Sequence, residues 1–336
     1  MEMGGKALAL LSGGLDSILA VKMMVDQEIE VVALNFTGPF YNFTPKTENQ
    51  RHHAAKVAEG FGISIRIIPK DMAFIRMLEN PKHGYGRGMN PCMDCRIYML
   101  RKAKELMPSL GASFVVTGEV LGQRPMSQLR HQIAITERES GLEGLILRPL
   151  SAQHFPPTVP ERAGIVDRNK LLDVAGRSRQ VQMDLARELG ITDYRAPAGG
   201  CLLTDPSFAS RLKDLFAYVP DYTFTDIELL KIGRHFRVHP GLRIILGRKR
   251  EENEAIVRLA PPGATLFEPE DFRGPTAIVR EGNDEGDETV GAIIARYCQD
   301  EHDSYLIKKQ VVGGGESLFT VREKFPAEEL DAFRVG

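Results

Sequence analysis

Two short stretches and one distant cysteine carry residues whose types and spacing could do chemistry. Ser12-Gly13-Gly14-Leu15-Asp16-Ser17 follows the apolar run Ala7–Leu11 and precedes Ile18-Leu19-Ala20-Val21. The run reads as a buried strand and the residues beyond Asp16 as a helix, so the glycines fall at a strand-to-helix turn. Such a turn binds phosphate, because glycine lets the backbone approach an anion and the unpaired N–H groups of the helix start point at it. Ser12 and Ser17 add hydroxyl donors. No lysine follows the glycines, which separates this loop from the P-loop ending in Gly-Lys-Ser/Thr.

The second stretch is Asn90-Pro91-Cys92-Met93-Asp94-Cys95, ahead of a helix beginning near Arg96; Cys201 lies far downstream in Gly199-Gly200-Cys201. Two thiols at a helix start can reach one centre, and the helix dipole favours their thiolates, which suits ligation or redox work. Three cysteines fit a [4Fe–4S] cluster with one iron left open. His83 or His154 could instead complete a zinc site. Persulfide chemistry, with one thiolate carrying sulfur and a second resolving it, is a further use of the same residues. Cys298, in Ala295-Arg296-Tyr297-Cys298, reads as a buried small hydrophobe.

Apolar runs at Ala7–Leu11, Val31–Leu34, Ile63–Ile68 and Phe114–Thr117 alternate with segments of helical period at Glu48–Glu59 and Ile97–Met107. That alternation predicts an α/β fold with a parallel sheet, whose ligand sits at the carboxyl ends of the strands. Ser12–Ser17 occupies one such end and Thr117-Gly118-Glu119 another. Gln153–Gly164 is proline-rich and reads as a loop, Leu171–Leu189 as a charged helix, and Phe208–Phe216 as a short amphipathic helix. Between them, Pro197-Ala198-Gly199-Gly200-Cys201 is a breaker cluster. Beyond it the texture shifts to short strand-like pieces, Leu242–Leu246, Thr276–Arg280 and Gln310–Val312, punctuated by Pro-Gly, Gly-Asn and a glycine triplet. The reading is two domains, 1–206 and 207–336, the second a small α+β module.

At 336 residues, with 43% hydrophobic and 26% charged residues, the composition is that of a globular protein, and no apolar run is long enough to span a bilayer. The N-terminus leads straight into the first strand, which predicts no signal or transit peptide and a cytoplasmic location. Four cysteines are too few for a disulfide scaffold. A net charge of -2 argues against a globally basic nucleic-acid coat. A local one is still readable: Lys231–Arg250 holds seven Lys/Arg, among them Arg234, Arg237, Arg243, Arg248, Lys249 and Arg250, and no acid. Such a stripe attracts RNA, or else is a solvated charged face.

Ser12–Ser17 resembles the PP-loop of the ATP pyrophosphatase superfamily. Together with Asn90-Pro91-Cys92-x-x-Cys95, Thr117-Gly118-Glu119-Val120-Leu121-Gly122-Gln123 and Ser127-Gln128, it resembles the PP-loop domains of tRNA thiouridine synthetases over roughly the first 205 residues. The likeness is strongest to 4-thiouridine synthetases, while the Asn-Pro-Cys-x-x-Cys segment is also similar to 2-thiouridine enzymes. The familiar 4-thiouridine enzymes carry an RNA-binding extension ahead of the loop that is not seen in this sequence, so RNA binding is expected from the second domain. There Leu246-Gly247-Arg248-Lys249-Arg250-Glu251-Glu252-Asn253 is similar to the Gly-Arg-x-x-x-x-Asn pattern of NFACT-type RNA-binding domains.

The resemblance implies an ATP-dependent tRNA sulfurtransferase using ATP, Mg²⁺ and a [4Fe–4S] cluster on Cys92, Cys95 and Cys201. Its partners would be tRNA and a sulfur donor, either sulfide or a persulfide carrier such as a cysteine desulfurase; a homodimer is a candidate assembly. The phosphates would lie over Ser12, Gly13, Gly14 and Ser17, with Asp16 helping to hold Mg²⁺ or the loop. Adenine would rest near Phe36 and Thr37. Thr117, Gly118 and Gln123 would touch nucleotide or target base, and Arg124 and Arg177 would neutralise phosphate. Glu119 is expected to be a general base or a backbone-capping carboxylate. The rival readings are sulfur insertion into a small molecule, an amidating ligase, and an RNA-binding protein without catalysis.

Overall fold

The computed structural model describes residues 5–40, 45–194, 201–280 and 286–336; the Pro197–Gly200 part of the breaker and the Gly282-Asn283 turn lie outside them. The chain divides into two compact units, Met1–Leu202 and Leu203–Gly336. In the first unit β1 (Lys6–Leu10), α1 (Leu15–Val25), β2 (Glu30–Thr37), α2 (Pro45–Gly60), β3 (Ser64–Pro69) and α3 (Met72–Met77) are followed by α4 (Cys92–Leu110), β4 (Phe114–Thr117), α5 (Arg130–Ser140), β5 (Ile146–Leu147), α6 (Val159–Arg162) and α7 (Gln180–Glu188). The five strands form a parallel sheet of order β3-β2-β1-β4-β5, so the α/β expectation holds.

The central strand β1 is buried on both faces, as its unbroken apolar run requires. The chain moves from β1 outward to β2 and β3, then returns to lay β4 on the other side. The carboxyl ends of β1 and β4 therefore flank the point where strand order reverses, the usual ligand crevice of an open α/β sheet. Leu10 pairs in register with Thr117, which brings Ser12–Ser17 beside Thr117-Gly118-Glu119.

Two local expectations change. Helix α7 covers only Gln180–Glu188, because the first half of the expected Leu171–Leu189 helix is drawn into extended pairing: Val174 N–H donates to Leu150 O and Gly176 N–H to Leu121 O. Gly176 sits at φ +86°, a left-handed conformation that a helix cannot contain. The proline-rich loop holds the short helix α6, whose Thr158 and Glu161 form a capping box.

The second unit orders α8 (Pro206–Tyr218), α9 (Phe224–Leu229), β6 (Arg234–His239), β7 (Leu242–Leu246), α10 (Arg250–Leu259), β8 (Thr265–Pro269), β9 (Ala277–Val279), α11 (Asp287–Arg296), β10 (Tyr305–Val311), β11 (Glu316–Val321) and α12 (Ala327–Ala332). Six strands in the order β11-β10-β8-β9-β7-β6 pair antiparallel throughout. One core packs α11 against the sheet through Val290, Ile293 and Ile294, and Cys298 is buried in that core. No described helix is long and apolar enough to cross a membrane.

Candidate active site

The turn after β1 is held open by its own residues. Gly13 has φ +79°, and a Cβ there would lie 2.8 Å from His53 Nδ1 of α2. Ser17 Oγ donates to Gly14 O at 2.8 Å and accepts from Ser12 N–H at 3.2 Å, while Gly14 N–H donates to Ser12 Oγ at 3.3 Å. The hydroxyls therefore brace the cradle in addition to facing it. Gly118 explains its place in the sequence: a Cβ on it would come within 2.5 Å of Asp16 C and Ser17 N, so only glycine lets β4 abut the first turn of α1.

Asp16 lies in that turn, with Oδ2 accepting a hydrogen bond from Gln123 Nε2 at 2.7 Å. Gln123 is steered in turn by fully buried Gln182, whose Nε2 donates to Gln123 Oε1 at 3.1 Å. Asp16 Oδ1 is buried and has no hydrogen-bond partner among the described residues. A buried carboxylate oxygen left over in this way fits a hard cation such as Mg²⁺. The motif downstream is largely architecture, since Gly122 N–H donates to Gln128 O at 2.7 Å and closes the loop that carries Gln123. Phe36 and Thr37 end β2; Thr37 is buried and its carbonyl accepts from Lys70 N–H, while the preceding Asn35 Nδ2 donates to Leu11 O at 2.7 Å.

Cys92 and Cys95 open α4, half-buried and one turn apart. Asp94 between them accepts from His83 N–H at 3.1 Å and so ties the preceding loop to the helix start. Burial raises the Cys92 thiol above its ordinary pKa and the neighbouring Cys95 adds to this, against the pull of Arg124, Arg96 and the Asn90 hydrogen bond. Arg124 thus stands by the thiols, whereas Arg177 is exposed. Cys201 is half-buried, and Leu202 N–H donates to Phe40 O beyond β2, which puts it at the same edge of the sheet. Among the described residues no three Cys, His, Asp or Glu side chains converge as a metal-binding group. The thiol pair, with Lys70, Arg96 and Arg124 around it, suits an anionic iron–sulfur cluster or a persulfide.

Three residues of the site carry no motif in the sequence. Buried Lys70, just after β3, donates to Cys95 Sγ at 3.2 Å and lies 4.4 Å from the Phe74 ring centroid. Arg96 and Arg148 grip Glu119 at 3.0 and 3.1 Å. Burial raises the Glu119 pKa, but Arg96, Arg148 and the Thr117 hydroxyl outweigh it and hold the carboxyl below its ordinary value. With Oε1 on Arg96 and Oε2 on Arg148 and Thr117, Glu119 ties the thiol helix, through Arg96, to the end of β4. The only signal for Lys70 and Arg148 was position, a cation at the carboxyl end of a parallel strand, and for Arg96 its place directly after Cys95.

In the second unit every residue of the basic stripe has a partner. Asp214 accepts two hydrogen bonds from Arg237, at 3.0 and 2.8 Å, and pairs with Arg243 at 3.4 Å. Arg237 and Arg243 are thus turned inward, and burial drops Arg243 to about 10. Arg234 stacks over Tyr297. Arg248, Lys249 and Arg250 stay exposed at 47%, 66% and 88% of their side chains, paired with Glu252, Glu251 and Glu254. Asn253 Oδ1 accepts Thr276 N–H, and a Cβ on Gly247 would overlap it, so the Gly and Asn of the motif join α10 to the sheet.

Residues 2–154 match the family described as thiamine biosynthesis protein (ThiI), and residues 233–334 match the NFACT protein RNA binding domain. The chain is similar to a probable tRNA sulfurtransferase of Methanothermobacter thermautotrophicus, 30% identical over 146 residues, covering 44% of this chain and 36% of that protein. It is similar to another of Lysinibacillus sphaericus, 32% identical over 146 residues and covering 44% and 34%. The chain therefore spans about a third of the length of these curated relatives. A crystal structure of a 4-thiouridine synthetase–RNA complex with bound ATP is 20% identical, with TM-score 0.38, over 68% of this chain and 53% of that one.

Proposed function

We propose that the protein is an ATP-dependent tRNA sulfurtransferase, with 4-thiouridine as its product. The observation that carries this reading is the meeting, at one sheet edge, of a phosphate cradle with a spare buried carboxylate oxygen and a thiol pair joined to it through Arg96 and Glu119. The family matches to both units support it. A uridine carbonyl oxygen attacks the α-phosphate of ATP, and pyrophosphate departs into the cradle of Ser12, Gly13, Gly14 and Ser17. Asp16, oriented by Gln123, would hold Mg²⁺, which would supply positive charge to offset that of the phosphates. Adenylation is required because a uracil oxygen is by itself a very poor leaving group. Sulfide then attacks the activated ring carbon, the C–O bond breaks, and AMP leaves with the original oxygen.

Cys92, Cys95 and Cys201 would hold a [4Fe–4S] cluster, which supplies an open iron for a sulfur ligand. The contact of Lys70 with Cys95 Sγ favours a second route. In it a Cys95 persulfide attacks the ring carbon with its outer sulfur, Cys92 attacks Cys95 Sγ to form the disulfide, and a thiol reductant restores both. Iron and acid-labile sulfide in anaerobically purified protein, compared with Cys92→Ala, Cys95→Ala and Cys201→Ala, separate the routes. Stoichiometric zinc without sulfide would remove the cluster. Nucleoside mass spectrometry of tRNA with and without the protein names the product; 2-thiouridine in place of 4-thiouridine would correct the site of attack, and no change in any thiolated base would overturn the reading.

A further inference from the structure

His53 is the polar side chain nearest the cradle that the reaction above does not use. It belongs to α2, and its ring stands where a side chain on Gly13 would be, with Nδ1 2.8 Å from that point. The side chain is only 12% exposed, and Nδ1 is buried without a hydrogen-bond partner among the described residues. The other ring nitrogen is committed: Nε2 lies 3.1 Å from Asp193 O and 3.2 Å from Asp193 Oδ1. Both of those atoms can only accept, so Nε2 carries a hydrogen, and in the neutral tautomer Nδ1 presents a bare lone pair. A lone pair facing a polyphosphate is repulsive; an N–H there is a charge-assisted donor.

We infer that His53 is a ligand of the ATP polyphosphate, taking up one proton from solvent at Nδ1 as the nucleotide enters and donating it as a hydrogen bond to a phosphate oxygen. The inference rests on the reading of the cradle as an ATP site and deepens it. The charged groups around the ring favour the change. Asp193 lies against Nε2 and is held ionised below its ordinary pKa, first by Lys56 and then by His53. Lys56 pairs with Asp193 and is 75% exposed, and α1 contributes Asp16, whose charge Mg²⁺ would meet in the loaded site. An ionised acid behind an imidazole supports its cationic form, so Asp193 is a positioning residue.

The test is calorimetric titration of the full chain with α,β-methylene-ATP and with AMP, from pH 6.5 to 8.5, in two buffers of different ionisation enthalpy. Wild-type protein is expected to take up close to one proton more than His53→Gln with the triphosphate, and to bind it about tenfold tighter at pH 7. Its advantage fades as pH rises, because the proton must be drawn from a scarcer pool. AMP, lacking the outer phosphates, is expected to bind both proteins alike. Asp193→Asn should shift the proton uptake to lower pH without abolishing it. Histidine ¹⁵N spectra of the wild type need no variant and should show one ring pass from the Nε2–H tautomer to the imidazolium on adding the triphosphate. Equal proton counts for wild type and His53→Gln, or no such spectral change, would overturn the inference with the ATP site intact. Failure of wild type to bind the triphosphate at any pH would remove the ATP site itself, and the inference with it.

Discussion

Glu119 in the first unit and Asp214 in the second each hold two guanidinium groups out of water, and the arginines they hold differ in kind. Glu119 takes Arg96, the residue after Cys95, and Arg148, which also reaches Glu137. Asp214 takes Arg237 and Arg243, two members of the basic stripe. The first hub ties the cysteine-bearing helix turn to the end of β4; the second withdraws cations from the face that the sequence offers to RNA. The units differ in the same sense elsewhere. Around the cradle, the acceptor atoms Asp16 Oδ1 and His53 Nδ1 are buried without a hydrogen-bond partner among the described residues. In the stripe Arg243 Nε also lacks a hydrogen bond, but it lies 3.4 Å from Asp214, and every other cation except Arg234, which stacks on Tyr297, has an acid partner. Two such atoms beside one glycine-bearing turn make that turn the place where a ligand is expected.

The comparison breaks first at Glu119. Glu119→Gln should lower stability by about 3 kcal/mol in chemical denaturation, since Arg96 would lose its acid and buried Arg148 would keep only Glu137. The sign with pH follows from the depressed pKa. The ion pairs contribute fully above the ordinary value of 4.5 and are lost as pH falls through the lower folded value, so the gap between variant and wild type should close toward acid. A gap independent of pH would mean that the loss is one of packing.

Asp16→Asn should keep the melting temperature and reduce RNA-stimulated pyrophosphate release by about 10²-fold or more, because it removes charge from the cradle while leaving an oxygen for Gln123. Undiminished release would take Asp16 out of the reaction. Asp214→Asn should do the reverse. A loss of roughly 2–4 kcal/mol is expected in the second unit, with ATP affinity unchanged, because Arg237 keeps its bond to Pro240 O while Arg243 loses its acid. The smallest effect belongs to the exposed cations. Joint reversal of Arg248 and Lys249 to Glu should weaken tRNA binding several-fold and lower its salt slope by about two, one for each phosphate no longer neutralised. Unaltered binding would move the RNA site off α10.

Much of the first unit is legible in the sequence because its signals are local. Ser12–Ser17 needs only a strand before it and a helix after it, and both are written in adjacent residues. The thiol pair is equally local, one turn of α4. The Leu171–Leu189 helix fails for the opposite reason. Its period suits a helix, yet Val174 and Gly176 find backbone partners at Leu150 and Leu121, and that competition is invisible from within the segment. The stripe misleads in the same way: Lys231–Arg250 contains no acid, but Asp214 reaches it from α8.

The sequence by itself determined that a glycine-rich strand-to-helix turn and a thiol pair exist in this chain, and that an α/β sheet carries them. Short-range geometry and apolar periodicity suffice for that, because the backbone of a strand-to-helix turn or a helix start is set within a few residues. Only the tertiary structure decided which groups share the crevice: His53 over Gly13, Gln123 on Asp16, Lys70 on Cys95, and Arg96 and Arg148 on Glu119. These pairs mostly join different strands and helices, and they form because parallel pairing in the order β3-β2-β1-β4-β5 brings successive carboxyl ends to one edge. Charge is likewise decided in three dimensions, since Arg237 and Arg243 are drawn inward by Asp214 while Arg248 and Arg250 keep their exposure beside acids of α10.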